Sequence, residues 1–337
     1  MNVNINNKWA AAIVFVLLGI FTMLVPTDEE DKKDGEETTK ETTEQKTEEK
    51  KDSVVVNPVL ETDPYQELDD LIGLDNVKQE VKSLANFVRL QKQRQEKGLK
   101  TPKLSYHLVF TGSPGTGKTT VARIVARIYK DLGILKKGHT VETDRSGLVA
   151  NYVGQTATKT NAIVDSALNG VLFIDEAYAL VPENSSQDYG QEAISTLLKR
   201  MEDYRERLVV IIAGYKNEMQ RFIDSNPGLQ SRFNRYIDFP DYSGEELTEI
   251  FKMYMKKNQY TMAKETEVYL KSRFDIAVGK KDRNFGNARY ARNVFEKSIQ
   301  QQANRLADQP GLSKEQLTEL TIDDLREGFD IRLINQP

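Results

Sequence analysis

At 337 residues the chain has room for two compact domains, or for one large domain with appendages. It has no cysteine and only two histidines, His107 and His139, which excludes a disulfide framework, a thiolate metal site and a histidine-rich one. The net charge of −4 hides an acidic stretch at residues 27–52, where twelve Asp or Glu face six Lys; the chain from residue 53 onward is nearly neutral and lacks the basic footprint of a dedicated nucleic-acid binder, so no nucleic-acid partner is expected.

In chain order, the first element is residues 9–25, an uncharged run of 17 (WAAAIVFVLLGIFTMLV). As a helix it would measure about 25 Å, enough for a thin bilayer. A cleaved signal and a buried core helix are the other readings. The run ends in Leu24, Val25 and Pro26 rather than in the small residues of a cleavage site, which favours an uncleaved anchor over residues 1–26. Lys8 precedes the run while Lys32, Lys33 and Lys40 follow it, which puts the C-terminal side in the cytoplasm. The expected location is therefore a membrane, single-pass, with the folded domains cytoplasmic. Residues 27–52 carry no aromatic side chain and no aliphatic one larger than Thr, so they cannot offset the entropy of folding. A disordered acidic tether is expected over 27–57.

From residue 58 the pattern alternates. Short β-branched runs at 108–110, 171–174 and 208–212 are separated by helical stretches such as 118–132 and 191–204. That alternation predicts an α/β domain, a parallel sheet covered on both faces, over 58–241. From Ser243 onward the periodicity is helical only, at 244–257, 264–278, 287–306 and 314–328, predicting a small α-helical domain over 242–337.

The run at 108–110 leads into GSPGTGKT at 112–119 and then into a helix, which is the strand, loop and helix context of a phosphate-binding loop. Gly112, Gly115 and Gly117, with Ser113, Pro114 and Thr116 between them, let backbone N–H groups curl around phosphates at a helix N-terminus. Lys118 reaches the terminal phosphate oxygens, Thr119 offers a hydroxyl to magnesium, and Thr120 completes the first turn. The second half of the site is VLFIDEA at 171–177, four apolar residues ending in two carboxylates at a strand's C-terminal edge, where open α/β sheets bind ligands. Asp175 is expected to hold magnesium and Glu176 to polarise the attacking water. ATP and Mg2+ are the cofactors this predicts.

These residues bring a resemblance into view. The chain resembles the AAA+ ATPases of the CbbX/CfxQ and stage V sporulation protein K group over roughly residues 64–330, through LIGLD at 71–75, the loop at 112–119, YVGQT at 152–156, FIDEAY at 173–178, AGY at 213–215 and NPGLQSRF at 226–233. The resemblance implies an αβα ATPase domain followed by a helical lid, assembled as a homo-oligomer, a hexameric ring, with ATP at subunit interfaces and a pore that pulls on a protein client. It further implies that Arg232 is an arginine finger reaching a neighbour's phosphate. Arg289, in GNAR at 286–289, would contact the nucleotide from the lid, with Arg292 its near competitor. Tyr152, Val153 and Gly154 would form the pore loop, and Ile72 and Gly73 would line the adenine pocket. Such proteins place a polar residue, most often Asn, after the strand at 208–212. Here Tyr215 and Asn217 both stand near that place and the choice stays open. A nucleotide-switched scaffold with slow turnover, and a DNA-directed loader, are the rival functional classes.

Overall fold

The computed structural model describes residues 54–102, 105–152, 154–181 and 189–329, all within one unit that spans residues 51–337. Six strands form its main sheet: β1 (Val55–Asn57), β2 (Leu108–Gly112), β3 (Thr140–Thr143), β4 (Gly170–Ile174), β5 (Leu208–Gly214) and β6 (Tyr236–Phe239). Their spatial order is β1-β3-β4-β5-β2-β6. All neighbours run parallel except β1, which pairs antiparallel with β3.

The central strands β4 and β5 are buried along their whole length, as expected of a parallel sheet covered on both faces. Strict two-residue alternation divides the side chains of β2, β4 and β5. Leu108, Phe110, Val171, Phe173, Val209 and Ile211 enter a core shared with the helix Lys118–Asp131. Val109, Leu172, Ile174, Val210 and Ile212 enter a second core under the helix Gly190–Asp203. Each fully buried Leu, Ile, Val or Phe contributes about 1.5–3 kcal/mol. The first core continues into the lid, where Phe251, Phe274, Tyr290, Phe295 and Phe329 join it.

The lid begins at the helix Gly244–Lys257, fixed by a capping box in which Ser243 and Glu246 satisfy each other's backbone N–H. The helices Lys264–Gly279 and Ala288–Leu306 come next.

Several expectations are corrected. The lid is not helical throughout: β7 (Thr261–Met262) and β8 (Glu319–Leu320) form a short parallel pair. The continuous helix expected at 314–328 is broken into Lys314–Thr318, β8, Ile322–Arg326 and a 3-10 turn Glu327–Phe329. Buried Leu320 pairs with Met262, Gln302 takes the carbonyls of Gln316, Leu317 and Glu319, and Thr321 with Asp324 caps a fresh helix. The sheet also starts before residue 58, because Val55–Asn57 is an edge strand.

A last correction concerns location. Among the described residues no helix is long and apolar enough to cross a membrane. The run at 9–25 and the part of the expected 27–57 tether before residue 54 lie outside the described residues, and the single-pass membrane placement with cytoplasmic domains is not supported.

Candidate nucleotide site

Strand β2 sits between β5 and β6 and delivers the phosphate loop at its C-terminal end. The helix Lys118–Asp131 opens without a side-chain cap, on Gly117 at φ 93°, so its first backbone N–H groups are left for a ligand. Thr116 is buried and its hydroxyl donates to the Ser113 carbonyl at 2.9 Å, closing the loop. The Lys118 ammonium donates to the carbonyls of Gly112 and Ser113, both at 2.8 Å, which leaves one of its three N–H groups for an anion. Burial pulls the Lys118 pKa down to about 8, against the opposing pull of Asp175 and with a further push from Arg289. A desolvated ammonium held by neutral carbonyls, at an uncapped helix start, fits a phosphate group.

Strand β4 ends in the two acids. Asp175 donates its N–H to the Thr143 carbonyl of β3 and accepts the Glu176 N–H on its carboxylate at 3.1 Å. Glu176 adopts φ 48°, ψ 43°, a left-handed conformation that costs a non-glycine residue about 1 kcal/mol and recurs at functional sites. The strain turns the chain sharply at the sheet edge before the 3-10 turn Ala177–Leu180.

The strand order then decides which residue faces the gap between loop and acids. β5 lies between β4 and β2, with Gly214 opposite Thr111, so the residue after Gly214 falls beside the phosphate loop. That residue is Tyr215, which lines the cavity, whereas Asn217 is exposed on the helix Lys216–Asp224. Burial and then the Glu176 charge raise the Tyr215 pKa, so the phenol stays protonated as a donor. The Tyr178 ring packs over Gly214 with its centroid 6.3 Å from that of Tyr215; a Cβ on residue 214 would lie 2.8 Å from it.

The lid closes the remaining side. Ala288 donates its N–H to the Gly115 carbonyl at 3.1 Å, and a Cβ on residue 115 would lie 2.1 Å from the Gly286 carbonyl oxygen, so only glycine permits this approach. Arg289 reaches the cavity; Arg292 is exposed and paired with Glu296 at 2.7 Å.

A cavity of about 260 Å³ results. Gly112, Pro114, Gly115 and Gly117 line it from the loop, and Lys118, Thr119 and Thr120 from the helix. Asp175 and Glu176, Gly214 and Tyr215, and Ala288 and Arg289 complete it. The other sequence-predicted residues lie elsewhere. Gly73 packs against the Glu246 carboxylate of the lid and Ile72 is half-buried beside the core, so neither lines the cavity, although Leu74 reaches Gly117. Arg232 ends the helix Pro227–Arg232 with its guanidinium 3.4 Å from Glu202 and is not part of the cavity. Its charge, after burial, helps to hold the His107 pKa down to about 4. Tyr152 is 69% exposed on a loop whose ends are pinned by Ala150 N–H to the Thr156 hydroxyl and Thr160 hydroxyl to the Leu148 carbonyl. Gly154 comes next at φ 76°; Val153 lies outside the described residues. The motifs alone do not decide between Tyr215 and Asn217 and do not single out Ala288; the strand order finds the first, and nothing local finds the last.

Fold and cavity together define a nucleotide-binding P-loop ATPase with a helical lid. Residues 108–241 match the family model described as "ATPase family associated with various cellular activities (AAA)", and residues 243–332 match the AAA lid domain. The chain is 43% identical to stage V sporulation protein K of Bacillus subtilis over 72% of its own length and 75% of that protein. It is 44% identical to the chloroplastic ribulose bisphosphate carboxylase/oxygenase activase of Cyanidioschyzon merolae, over 79% and 92% of the two chains. It is also 44% identical to the ESX-3 secretion system protein EccA3 of Mycolicibacterium smegmatis over 77% of its own length, but spans only 45% of that protein. The crystal structure of the FIGL-1 AAA domain shares the fold, with a TM-score of 0.57 at 20% identity over 80% of this chain and 84% of that one. The chain belongs to the AAA ATPase family and is an ATPase of the CfxQ and stage V sporulation protein K kind.

Proposed function

We propose that the chain couples ATP hydrolysis to the remodelling of a protein client, as a ring of identical subunits, six in number, with nucleotide at their interfaces. Lys118 binds the phosphates and Glu176 polarises the attacking water. Arg289 contacts the nucleotide from the lid, and Arg232 of one subunit serves the cavity of the next. Thr119 and Asp175 are the oxygen donors available to Mg2+; among the described residues no group of three or more His, Cys, Asp or Glu could hold a metal, so phosphate and water would supply its other ligands. Bound there, the ion would neutralise charge on the transferred phosphoryl group.

The observation that carries the client reading is Tyr152, a large aromatic exposed on a pinned loop that ends in Gly154 and stands apart from the cavity. Such a knob grips a polypeptide without regard to sequence. The names of two relatives, an activase of another enzyme and a secretion system protein, support a protein client. The experiment is Tyr152→Ala, assayed on a partner captured with a Glu176→Gln variant that binds ATP without turning it over. Client processing should be lost while ATP turnover persists. Unchanged processing would favour a nucleotide-switched scaffold instead.

A further inference from the structure

The motif at 286–289 draws attention to its arginine, yet the residue that the fold constrains most is its neighbour. Asn287 is fully buried and holds φ 49°, ψ −121°. A non-glycine residue adopts that conformation only where its surroundings over-determine it. The surroundings are four oxygen or nitrogen partners from three separate segments. The Asn287 Nδ2 lies 2.9 Å from Asp241 Oδ1, 3.1 Å from the Phe285 carbonyl and 3.2 Å from the Pro114 carbonyl. With two N–H groups for three acceptors, one is shared. Its Oδ1 accepts the Tyr242 N–H at 2.9 Å.

One carboxamide therefore joins the phosphate loop (Pro114), the segment between β6 and the lid (Asp241, Tyr242) and the lid itself (Phe285). Asp241 extends the link, since Lys281 of the lid donates to its carboxylate at 2.7 Å. Main-chain contacts flank it on both sides, Gly286 lying against Gly115 and the Ala288 N–H donating to the Gly115 carbonyl. Arg289 lies on the first turn of the helix that starts at Ala288, so the direction in which it leaves the backbone is set where Asn287 is fastened.

We propose that Asn287 is a positioning residue for ATP hydrolysis: its carboxamide fastens the lid to the phosphate loop and so fixes Arg289 in the nucleotide cavity. The side chain has to be an amide. A carboxylate at 287 would set an oxygen against the oxygens of Pro114, Phe285 and Asp241, while a shorter side chain would reach none of them. The proposal rests on the ATPase activity of the family and is independent of the client. Its failure would leave the Tyr152 experiment untouched.

The test is a double-mutant cycle in the full-length chain. Asn287→Gly is the informative variant because glycine adopts the strained conformation freely, so that only the hydrogen bonds are removed. Turnover of ATP should fall about tenfold or more in Asn287→Gly with far-UV circular dichroism unchanged, and fall further in the isosteric Asn287→Asp. Placed on an Arg289→Ala background, Asn287→Gly should cost less than about twofold more, because the residue acts through an arginine already removed. Additive losses, or full turnover in Asn287→Gly, would overturn the proposal. Should Asn287→Gly fail to fold, the same cycle run with Asn287→Asp decides the question by the same criterion of non-additivity.

Discussion

The groups that face inward and those that face outward are built on different foundations. Asp175, Glu176 and Tyr215 stand at the ends of buried strands, Lys118 starts the helix that follows another, and all four share one cavity. Arg232 and Tyr152 stand on a six-residue helix and a surface loop, and neither borders that cavity. The difference teaches that a single chain brings the inward groups together by itself, whereas the roles proposed for Arg232 and Tyr152 would each require another molecule.

The largest test of that division is Arg232→Ala. If the arginine serves a neighbour's phosphate, turnover of the assembled protein should fall by about 10³-fold, measured as phosphate release, while nucleotide binding to isolated subunits is retained. Normal turnover would mean that the inward groups suffice. Glu176→Gln attacks the inward half and should lower turnover by about 10²–10³-fold with nucleotide affinity preserved in a fluorescence titration.

His107 is buried, packs at a tilt against Phe233 with centroids 5.8 Å apart, accepts the Val210 N–H on Nδ1 and feels the charge of Arg232. Burial first, and Arg232 second, depress its pKa from 6.5 to about 4. In the unfolded chain the imidazole binds a proton below its ordinary value, whereas in the folded chain it does not until about 4, so stability is full above 6.5 and lost as pH falls through that window. The loss by pH 4 should be about 3 kcal/mol, and His107→Gln should flatten this part of a chemical-denaturation series against pH. The smallest expected effect is that of Tyr215→Phe, which keeps the ring and removes the donor; about a tenfold drop in turnover without a change in nucleotide affinity would mark the phenol as part of the inward half.

Of the inward half, Lys118, Asp175 and Glu176 were legible in the sequence for a physical reason, whereas Tyr215 was not singled out. β2, β4 and β5 are buried on both faces and read as uninterrupted apolar runs ending in GSPGTGKT, DE and GY. β3 and β6 did not stand out, because TVET is mostly polar and β6 alternates exposed Tyr236 and Asp238 with buried Ile237 and Phe239. The first lid helix was recovered to the residue, since Ser243 and Glu246 mark its start. Asn287 stayed hidden because its role needs Pro114, Asp241 and Phe285, and two of these are far away in sequence. β7 and β8 were illegible for the same cause, their two-residue pairing being set by tertiary packing around Leu320.

The core shared by sheet and lid has a bearing on how the protein is made. Phe329 packs edge-on against Phe274 and Tyr290, and Tyr290 comes directly after Arg289. The helix that carries the lid's arginine is thus backed by a ring that emerges from the ribosome some forty residues later. A nascent chain would display the complete phosphate loop and both acids long before the lid could settle over them. A subunit truncated before that ring should therefore retain the motifs of an ATPase while the helix behind Arg289 loses the Phe329 backing.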